Sequence, residues 1–342
     1  MSTYKAIISR FKNKKIMVVG DVILDRYIQG SVSRISPEAP VPVVLEESFS
    51  YQPGGAANVA HNLAALGAKV TQVGKTGFDF EGQLLKRDLK RKGIDISGIF
   101  SDRKMATITK TRVIAQHQQV VRIDREKPVI RPDAALDKKV ASFIEERLKK
   151  TDAVIVSDYG KGLITPKMVE AVRDRALAYK IPITVDPKVE HFACYRNVTC
   201  ITPNLKEAEN AIRNIKIREA DAQELGLSSD RLYSMKDVER AGDRLLKYLN
   251  LESLLITLGE RGMCLFEKGK APYGIDTRAQ EVYDVTGAGD AVISVFTLAL
   301  TAGANKQKAA ELANYAAGVV VGKMGAVAVS PEELSDAIKG AL

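Results

Sequence analysis

Short apolar runs alternate along this chain with longer segments in which apolar residues recur at every third or fourth position. The continuous apolar runs predict strands at 15–20, 69–73, 153–156, 183–185, 198–201, 254–258 and 263–266. The helical spacing predicts helices at 54–66, 78–92, 133–150, 165–180, 205–213, 235–249, 288–302, 306–323 and 331–341. Strands that alternate with helices in this way indicate an α/β fold, whose central and mostly parallel sheet is covered by helices on both faces.

Two segments interrupt this alternation. Residues 41–45 and 107–124 are rich in Val, Ile and Thr, and no crossover helix lies beside them. They predict antiparallel strands set apart from the main sheet as a small β-strand lid. We expect an N-terminal extension at 1–14 and a single domain at 15–342. The two lid segments of this domain are expected at 26–52 and 103–126.

The composition is that of an ordinary globular protein, with 45% apolar and 27% charged residues. These values exclude a collagen-like chain, a largely disordered chain and a small disulfide-stapled one. Basic side chains number 51 and acidic side chains 42, which gives a net charge of +9. A basic balance of this size favours anionic partners.

Several features that the sequence lacks exclude further classes of partner and indicate the cellular compartment. It has no Trp and no Lys/Arg block interleaved with aromatic residues, which argues against nucleic acid as a partner. Its most apolar stretch, 291–304, is shorter than the roughly 20 residues that a bilayer requires, and residues 1–15 lack the apolar core of a signal peptide. The 3 cysteines, without CxxC spacing, fit a reducing compartment. We therefore expect a cytoplasmic protein that binds neither nucleic acid nor membrane.

The most informative motif is Asp284-Val-Thr-Gly-Ala-Gly-Asp290, which leads into an apolar helical run. Gly287 and Gly289 let backbone N–H groups turn toward one point, and the following helix adds its unpaired amides to this anion site. Asp290 falls in the first helical turn, where the helix dipole favours its ionised form. A hydroxyl that accepts a phosphoryl group needs both a base and positive partial charge for the phosphoryl oxygens. The structural alternative is a Gly-rich turn with an Asp that complements the dipole.

Three further motifs suit a ligand site at the ends of strands. Gln52-Pro-Gly-Gly-Ala-Ala-Asn58 places paired glycines and an amide at a helix start, which suits either a sugar hydroxyl or tight helix packing. In Thr202-Pro-Asn-Leu-Lys-Glu207, Asn204 and Glu207 fit a helix cap at a position where α/β ligand sites also form. Ile256-Thr-Leu-Gly-Glu-Arg-Gly262 is a strand followed by a Gly turn, a pattern that is also common in hairpins.

Taken in this order, the four motifs resemble those of the ribokinase/PfkB family of sugar kinases, over about residues 15 to 338. Within the family the chain is similar to the D-glycero-β-D-manno-heptose-7-phosphate kinases. The stretches that carry this narrower resemblance are 20–27, 33–43, 53–60, 109–113, 156–162 and 281–290. Such a kinase is often one half of a bifunctional ADP-heptose synthase, whose nucleotidyltransferase half carries an HxGH motif. This sequence has no HxGH, so we expect a stand-alone kinase or an isolated kinase domain.

The resemblance implies a role for each matched residue at the sugar end. Asp290 matches the catalytic base, and the anion hole beside it matches Gly287, Ala288 and Gly289. The remaining residues of this end bind the sugar or its anionic groups, the last two being chosen from their motifs alone: Asp21, Asp25, Gly54, Gly55, Asn58, Arg112 and Lys161.

The same resemblance implies a nucleotide end. Its cofactor-binding residues are Asn204, Leu205, Lys206, Glu207, Thr257, Gly259, Gly262 and Asn314. Asn204 and Glu207 match the motif that organises Mg²⁺ and the ATP phosphates, with Glu207 reaching the metal through water. Asp284 and Thr286 match a loop that holds a monovalent cation, such as K⁺, in many members of the family.

The resulting hypothesis is ATP-dependent phosphorylation of the anomeric hydroxyl of D-glycero-β-D-manno-heptose 7-phosphate to the 1,7-bisphosphate, a step of ADP-heptose biosynthesis for lipopolysaccharide or surface heptose. The 7-phosphate requires cations, for which the nearby supply is Arg34, Lys110, Arg112, Arg122 and Lys161. The alternatives are a PfkB kinase for another sugar, sugar phosphate or nucleoside, and a non-catalytic nucleotide- or nucleic-acid-binding protein on the same fold. We also expect a homodimer formed through the lid strands and a separate nucleotidyltransferase that acts downstream.

Overall fold

Two β-sheets organise the chain. The computed structural model describes residues 2–116, 118–126, 133–218, 220–279 and 281–340. The strands within these ranges are β1 (Lys15–Gly20), β2 (Val22–Ile35), β3 (Pro42–Gly55), β4 (Lys69–Gly77), β5 (Asp95–Asp102), β6 (Thr109–Ala115), β7 (Gln118–Arg125), β8 (Ala153–Ser157), β9 (Ile183–Asp186), β10 (Cys200–Ile201), β11 (Ser253–Thr257), β12 (Met263–Glu267) and β13 (Tyr273–Ile275). The large sheet has the order β13-β12-β11-β10-β9-β8-β1-β4-β5, and the small sheet has the order β3-β2-β6-β7.

Helices connect the strands and cover the large sheet. Those of the described ranges are α1 (Ser2–Ile8), α2 (Ala56–Ala65), α3 (Phe80–Arg91), α4 (Ala134–Leu148), α5 (Pro166–Ala178), α6 (Leu205–Arg218), α7 (Met235–Tyr248), α8 (Ala288–Thr301), α9 (Lys306–Val321) and α10 (Pro331–Gly340). Side-chain caps begin several of them, as where Thr165 accepts the Met168 N–H at 3.2 Å with Pro166 at the first helical position. The large sheet is parallel apart from β12 and β13, which confirms the predicted α/β class.

The continuous apolar runs of the sequence reflect burial on both faces of the large sheet. In β1, Ile16 and Val18 enter the core cluster that includes α2, α8 and α9, whereas Met17 and Val19 enter the cluster on the opposite face. Successive side chains of a strand point to opposite faces, so a strand covered twice has to be apolar throughout.

The parallel strands present their carboxyl ends on one edge of the large sheet. Five of these strands are direct neighbours, in the order β11-β10-β9-β8-β1, and each pair of neighbours is parallel. The polar segments that follow these strands therefore meet beyond the same edge, which is where open α/β sheets bind ligands.

The small sheet contains most of both predicted lid segments and has two chemically different faces. Its charged face carries the cross-strand rows Gln52–Asp25–Lys110–Asp124 and Ser50–Tyr27–Arg112–Arg122. Its apolar face carries the rows Phe49–Ile28–Val113–Val121 and Tyr51–Arg26–Thr111–Ile123. The predicted segments do pair antiparallel, β3 with β2 and β6 with β7, but β2, which was not predicted, also pairs in parallel with β6, so the sheet is mixed.

Several boundaries also differ from the prediction. The helix predicted from residue 54 begins at Ala56, because Gly54 and Gly55 still pair with β2 as the end of β3. The helix α1 was not predicted. The strand β5 was not predicted either, because polar residues interrupt the apolar run in its sequence, DISGIFSD. His117, within the second lid segment, and Ala341, at the end of the last predicted helix, lie outside the described residues.

The first residues of the chain pack onto the large domain. Ile7, Ile8 and Phe11 are buried in the same core cluster as α8 and α9. Tyr4 and Tyr273 both donate their hydroxyl groups to the Glu311 carboxylate, which ties α1 to α9 and β13. Among the helices of the described ranges, none has the length and apolar character needed to cross a membrane.

Candidate active site

Asp290 lies buried in the first turn of α8, with 7% of its surface exposed. The Asn58 side-chain amide donates a hydrogen bond to Asp290 Oδ2 at 2.7 Å, and the Tyr159 hydroxyl donates one to Oδ1 at 2.8 Å. These donors come from α2 and from the loop after β8, so three separate segments fix the orientation of one carboxylate.

The pKa of Asp290 is raised from 3.8 to about 6, mainly by burial and in part by the nearby charge of Asp25. The hydrogen bonds from Asn58 and Tyr159 and the charge of Lys110 act on the pKa in the opposite direction. A carboxyl group with a pKa near 6 is ionised at neutral pH and still basic enough to accept a proton from a hydroxyl group.

The start of α8 is open on the side of Gly289. Gly287 has φ of 82°, and a Cβ at this residue would lie 2.9 Å from the Asn58 side-chain nitrogen, so both backbone and space require glycine. A Cβ at Gly289 would meet nothing within 4 Å. No side chain of the described ranges caps this helix, while the Ala288 N–H already donates to the Val285 carbonyl oxygen at 3.3 Å. The amides beyond Ala288 can thus receive an anion in the space beside Gly289.

At the sugar end predicted from the sequence, the structure brings Asp25, Arg112 and Gly54 together. Arg112 Nη1 lies 2.6 Å from Asp25 Oδ1, and the guanidinium group stacks over the Tyr27 ring at 5.4 Å. A Cβ at Gly54 would collide with the Asp25 carboxylate. The ion pair is buried, so each partner compensates the charge of the other.

Asp21 is buried and already bound within the protein. Its carboxylate accepts three backbone N–H groups, from Tyr159 at 3.1 Å, Lys161 at 3.0 Å and Leu163 at 3.2 Å. These bonds make Asp21 an anchor for the loop after β8. Its predicted contact with a sugar stays a prediction.

The cations near this end differ in whether a carboxylate already pairs with them. Lys161 Nζ lies 2.6 Å from Glu126, and Arg122 lies 2.9 Å from Asp124. Lys110 has no ion pair within the described parts of the chain, and its Nζ lies 5.8 Å from the centre of the Tyr159 ring. Burial lowers the pKa of Lys110, although Asp25 and Asp124 raise it.

At the predicted nucleotide end, Asn204 and Glu207 form a reciprocal cap at the start of α6. The Glu207 N–H donates to Asn204 Oδ1 at 2.9 Å, and the Asn204 N–H donates to Glu207 Oε2 at 2.8 Å. The Thr257 N–H donates to the Pro203 carbonyl oxygen at 3.0 Å, and Asn204 pairs with Thr257 in an isolated parallel bridge. Two motifs that are far apart in sequence therefore lie side by side.

The other predicted nucleotide residues lie around this pair. Leu205 is half-buried and Lys206 is exposed in the first turn of α6. Gly259 and Gly262, with φ of 63° and 80°, bound a short turn after β11, and only Gly259 has open space around a Cβ position. Asn314 is buried in α9 and donates to the Asp276 carbonyl oxygen at 2.7 Å.

A cavity of about 780 Å³ lies beside α9, the helix that carries Asn314. It is lined in part by Arg278, Tyr283, Tyr315 and Gly318. Asp284 and Thr286, the predicted cation loop, lie in the chain between Tyr283, which lines this cavity, and the start of α8. Asp284 accepts the N–H groups of Thr286 at 2.9 Å and Gly325 at 3.0 Å, so its side chain shapes the loop.

Two functional candidates escaped the sequence analysis. Tyr159 contacts Asp290 directly, although its stretch was noted only as part of a resemblance. Asp186, at the end of β9, stands between the two ends of the site: burial and the charges of Glu207, Asp290 and Asp158 raise its pKa well above the usual range. The signal that could have found both is their position directly after or at the end of a buried strand.

The carboxylates of the site do not make a ready metal cage. Within the described ranges, no group of three or more His, Cys, Asp or Glu side chains is arranged to hold a metal ion. Glu207 is the acidic side chain at the nucleotide end, and burial raises its pKa. Such a site suits Mg²⁺ that is bound mainly by phosphate oxygens and water, with one protein carboxylate nearby.

Comparison with known sequences gives matches over most of the chain. The model of the pfkB family carbohydrate kinases matches residues 13–333. The chain is 44% identical over 335 residues to the Bifunctional protein HldE of Pseudomonas aeruginosa, covering 98% of this chain and 66% of that protein. It is 42% identical over 332 residues to the Bifunctional protein HldE of Geobacter metallireducens, covering 96% and 64%. The chain thus spans slightly less than two thirds of the length of these curated relatives.

Comparison with solved structures supports the same fold. The Arabidopsis thaliana ribokinase complexed with ribose and ATP superposes with a TM-score of 0.71 at 19% identity, covering 96% of this chain and 99% of that one. Phosphofructokinase-2 from Escherichia coli in complex with potassium gives a TM-score of 0.75 at 17% identity, covering 96% and 99%. The predicted ribokinase-like fold is confirmed, and the family match also confirms the predicted class of enzyme. On the evidence of its sequence and of the arrangement around Asp290, the chain belongs to the pfkB family of carbohydrate kinases.

Proposed function

We propose that this protein transfers the γ-phosphoryl group of ATP to the anomeric hydroxyl of D-glycero-β-D-manno-heptose 7-phosphate and forms the 1,7-bisphosphate. The observation that carries the proposal is the Asp290 carboxylate, oriented by Asn58 and Tyr159 beside an open helix start. The relatives named HldE support the choice of sugar, since their kinase half is the heptose-7-phosphate kinase.

Asp290 acts as the general base in this proposal. It accepts the proton of the C1 hydroxyl as the sugar oxygen bonds to the γ-phosphorus, and the bond from that phosphorus to the bridging oxygen breaks to release ADP. The free amides at the start of α8 stabilise the charge on the transferring group. Asp25, paired with Arg112, is placed to accept a hydrogen bond from a hydroxyl group of the sugar.

ATP would lie along the other end of the site, against Asn204, Glu207, Thr257 and Gly259. The exposed amide of Asn204 and the open face of Gly259 leave room for phosphates and ribose. Mg²⁺ supplies charge neutralisation for the phosphates when it is bound, and Glu207 is the residue that would hold its water shell. Asp284 and Thr286 remain our proposed ligands for a monovalent cation such as K⁺.

The charged face of the small sheet would receive the phosphorylated end of the sugar. Lys110 and Arg112 project from this face beside Asp25, and Arg122 lies on the next strand. A sugar that carries a phosphate brings a charge that such cations favour, whereas a neutral sugar does not. This asymmetry distinguishes a sugar phosphate from ribose or a nucleoside as the substrate.

The decisive experiment measures ADP release with D-glycero-D-manno-heptose 7-phosphate, the unphosphorylated heptose, fructose 1-phosphate and ribose as alternative acceptors. We expect the highest kcat/KM for the heptose 7-phosphate, with Asp290→Asn inactive under the same conditions. A higher kcat/KM for any other acceptor would overturn the choice of sugar. Salt-dependent DNA binding without ADP release would instead favour the non-catalytic alternative.

The apolar face of the small sheet is our proposed dimer interface with a second copy of this chain. Phe49, Val121 and Ile123 are each about half exposed there, in neighbouring cross-strand rows. Ile123→Asp should lower the molecular mass measured by analytical ultracentrifugation to that of one chain, and an unchanged mass would exclude this interface.

We further propose that the reaction takes place in the cytoplasm, where ATP is available. A separate nucleotidyltransferase would then act on the product.

A further inference from the structure

Tyr159 is the least expected of the groups that contact Asp290. We propose that Tyr159 is a positioning residue, which fixes the orientation of the Asp290 carboxylate and holds it in the ionised form that accepts the proton. This inference rests on the proposed function, because it concerns the same base. It goes beyond that function by assigning a task to a side chain outside the Gly-rich motif.

The loop that carries Tyr159 is fixed from two sides. Asp21 accepts three of its backbone N–H groups, including that of Tyr159 itself. Asp158 accepts the Gly160 N–H at 2.8 Å and the Tyr195 hydroxyl at 2.6 Å. A side chain on a loop held by two buried carboxylates presents its hydroxyl group at a defined point, at low entropic cost.

The direction of the hydrogen bond from Tyr159 is also fixed. Burial and the charge of Asp290 raise the pKa of Tyr159 well above its usual value, so that the phenol keeps its proton. A phenol that keeps its proton donates to a carboxylate, and a donor to the ionised form of an acid stabilises that form. Tyr159 does not compete as a second base.

The two donors leave Asp290 able to react. Each carboxylate oxygen has two lone pairs, and Asn58 and Tyr159 use one on each oxygen. One lone pair per oxygen remains for the hydroxyl group of the sugar. The donors therefore orient the base without blocking it.

The groups around Asp290 act on its ionisation in opposite directions, and Tyr159 is one of those that favour the ionised form. The groups that face Asp290 are Asn58 from α2, Asp25 from β2, Lys110 from β6, Tyr159 from the loop after β8, and Asp186 from the end of β9. The charge of Asp25 opposes ionisation of Asp290, whereas Lys110 and the two donors favour it. Without the Tyr159 hydroxyl, the balance moves toward the protonated acid.

The test compares the pH dependence of kcat/KM for the wild type, Tyr159→Phe and the matched control Tyr248→Phe. Tyr248 is also buried and donates to an aspartate, but that aspartate is Asp221, which neither is the base nor holds the loop of Tyr159. We expect Tyr159→Phe to move the acidic limb of the profile upward by about one pH unit, as the loss of one charge-assisted hydrogen bond predicts. Tyr248→Phe should leave the limb in place. An unmoved limb in Tyr159→Phe, or an equal shift in both variants, would overturn the inference.

Two further measurements separate this inference from the proposed function. Infrared difference spectra against Asp290→Asn report the pH at which the Asp290 carboxyl titrates, whether or not the chosen sugar is the true substrate. That pH should rise in Tyr159→Phe. Replacing Tyr159 by 3-fluorotyrosine keeps the shape and makes the phenol a stronger donor, so the limb should move downward. If the spectra show these shifts but heptose 7-phosphate is not phosphorylated, the choice of sugar fails and the role of Tyr159 stands.

Discussion

The two ends of the site are built in different ways. At the sugar end, Asp25, Arg112, Asn58 and Asp290 are buried or nearly so, and each has a partner within the protein. At the nucleotide end, Asn204, Lys206 and Gly259 are exposed, and Tyr283 is 69% exposed. One end is assembled before any ligand binds, while the other offers backbone and side chains to solvent.

This difference has an energetic meaning. A site whose side chains are already held loses little conformational entropy when its ligand arrives, and it rejects molecules that cannot match its fixed groups. An exposed end tolerates variation and relies on the ligand to complete its shape. We therefore expect substitutions at the sugar end to affect both stability and sugar use, and substitutions at the nucleotide end to affect ATP with little effect on folding.

The strongest test of this comparison is Asp290→Asn. The amide cannot accept the proton, so kcat should fall by about 10²- to 10⁴-fold, while ATP still binds. Coupled ADP release measures the first quantity, and calorimetric titration with a non-hydrolysable ATP analogue measures the second. A kcat near that of the wild type would show that another group is the base.

The same variant should be more stable than the wild type at alkaline pH. Because the folded chain raises the pKa of Asp290 from 3.8 to about 6, the favourable contribution of its protonated form is complete below pH 3.8 and is lost as the pH rises through 6. This rise corresponds to about 3 kcal/mol, the upper limit of the gain expected for Asp290→Asn at pH 8. Urea unfolding of both proteins should show this gain in the free energy of unfolding at pH 8 and not at pH 4. An equal difference between variant and wild type at the two pH values would contradict the burial argument.

Arg112→Met should have the next largest effect. It leaves the Asp25 carboxylate buried without its partner, which costs about 3–5 kcal/mol of unfolding free energy. It should also raise the KM for the sugar phosphate far more than the KM for ATP.

Arg122→Met is the matched control for stability, because the Arg122–Asp124 pair lies on the same sheet but is largely exposed. That substitution should cost less than about 1 kcal/mol. Equal losses of stability in the two variants, or equal rises in both KM values for Arg112→Met, would remove the distinction between the two ends.

Gly289→Ala probes the proposed anion hole beside Asp290 without disturbing the fold. A Cβ there meets nothing within 4 Å, so stability should be unchanged or increase by about 0.5–1 kcal/mol. The methyl group would occupy the space proposed for the phosphoryl group and should lower kcat/KM for ATP by roughly tenfold or more. Gly274→Ala, in the edge strand β13 and equally free of contacts, is the control for activity. Full activity in Gly289→Ala would place the phosphoryl group elsewhere.

The smallest effects are expected at the cap of α6. Asn204→Ala removes the acceptor of the Glu207 N–H and should cost about 1 kcal/mol. Asn204→Asp keeps the cap but adds a negative charge beside the proposed phosphates, so it should retain stability and raise the KM for ATP. Unchanged KM values in both variants would limit Asn204 to a structural role.

The fold was predictable wherever burial leaves a local trace. β1 and β8 are covered on both faces and read as continuous apolar runs, and their prediction is confirmed. β5 escaped because its sequence is polar, and the parallel pairing of β2 with β6 could not be predicted because pairing between strands is set by contacts that are distant in sequence.

The candidate site shows the same limit. The Gly-rich start of α8 and the capping pair of α6 are local patterns, and the structure places them as the motifs suggested. Asn58 and Asp290 are 232 residues apart, and only the family resemblance linked them in advance. The contact between Tyr159 and Asp290 spans 131 residues and has no local signature, which is why it emerged only from the fold.

The hairpin of β2 and β3 joins the rest of the chain at two points that touch. The chain passes from β1 to β2 through Asp21 alone, and at the return to α2 the Ala56 N–H donates to the Asp21 carbonyl oxygen at 3.1 Å. The β2–β3 hairpin is therefore tied to the large domain at its base. At about 3.3 Å per residue, Asp25 lies about 13 Å along the strand from Asp21, whereas Ile35 lies about 46 Å away. The residues nearest the reacting centre are thus the ones closest to this tie, and the far end of the hairpin, where Ile35 is 62% exposed, is the part most remote from it.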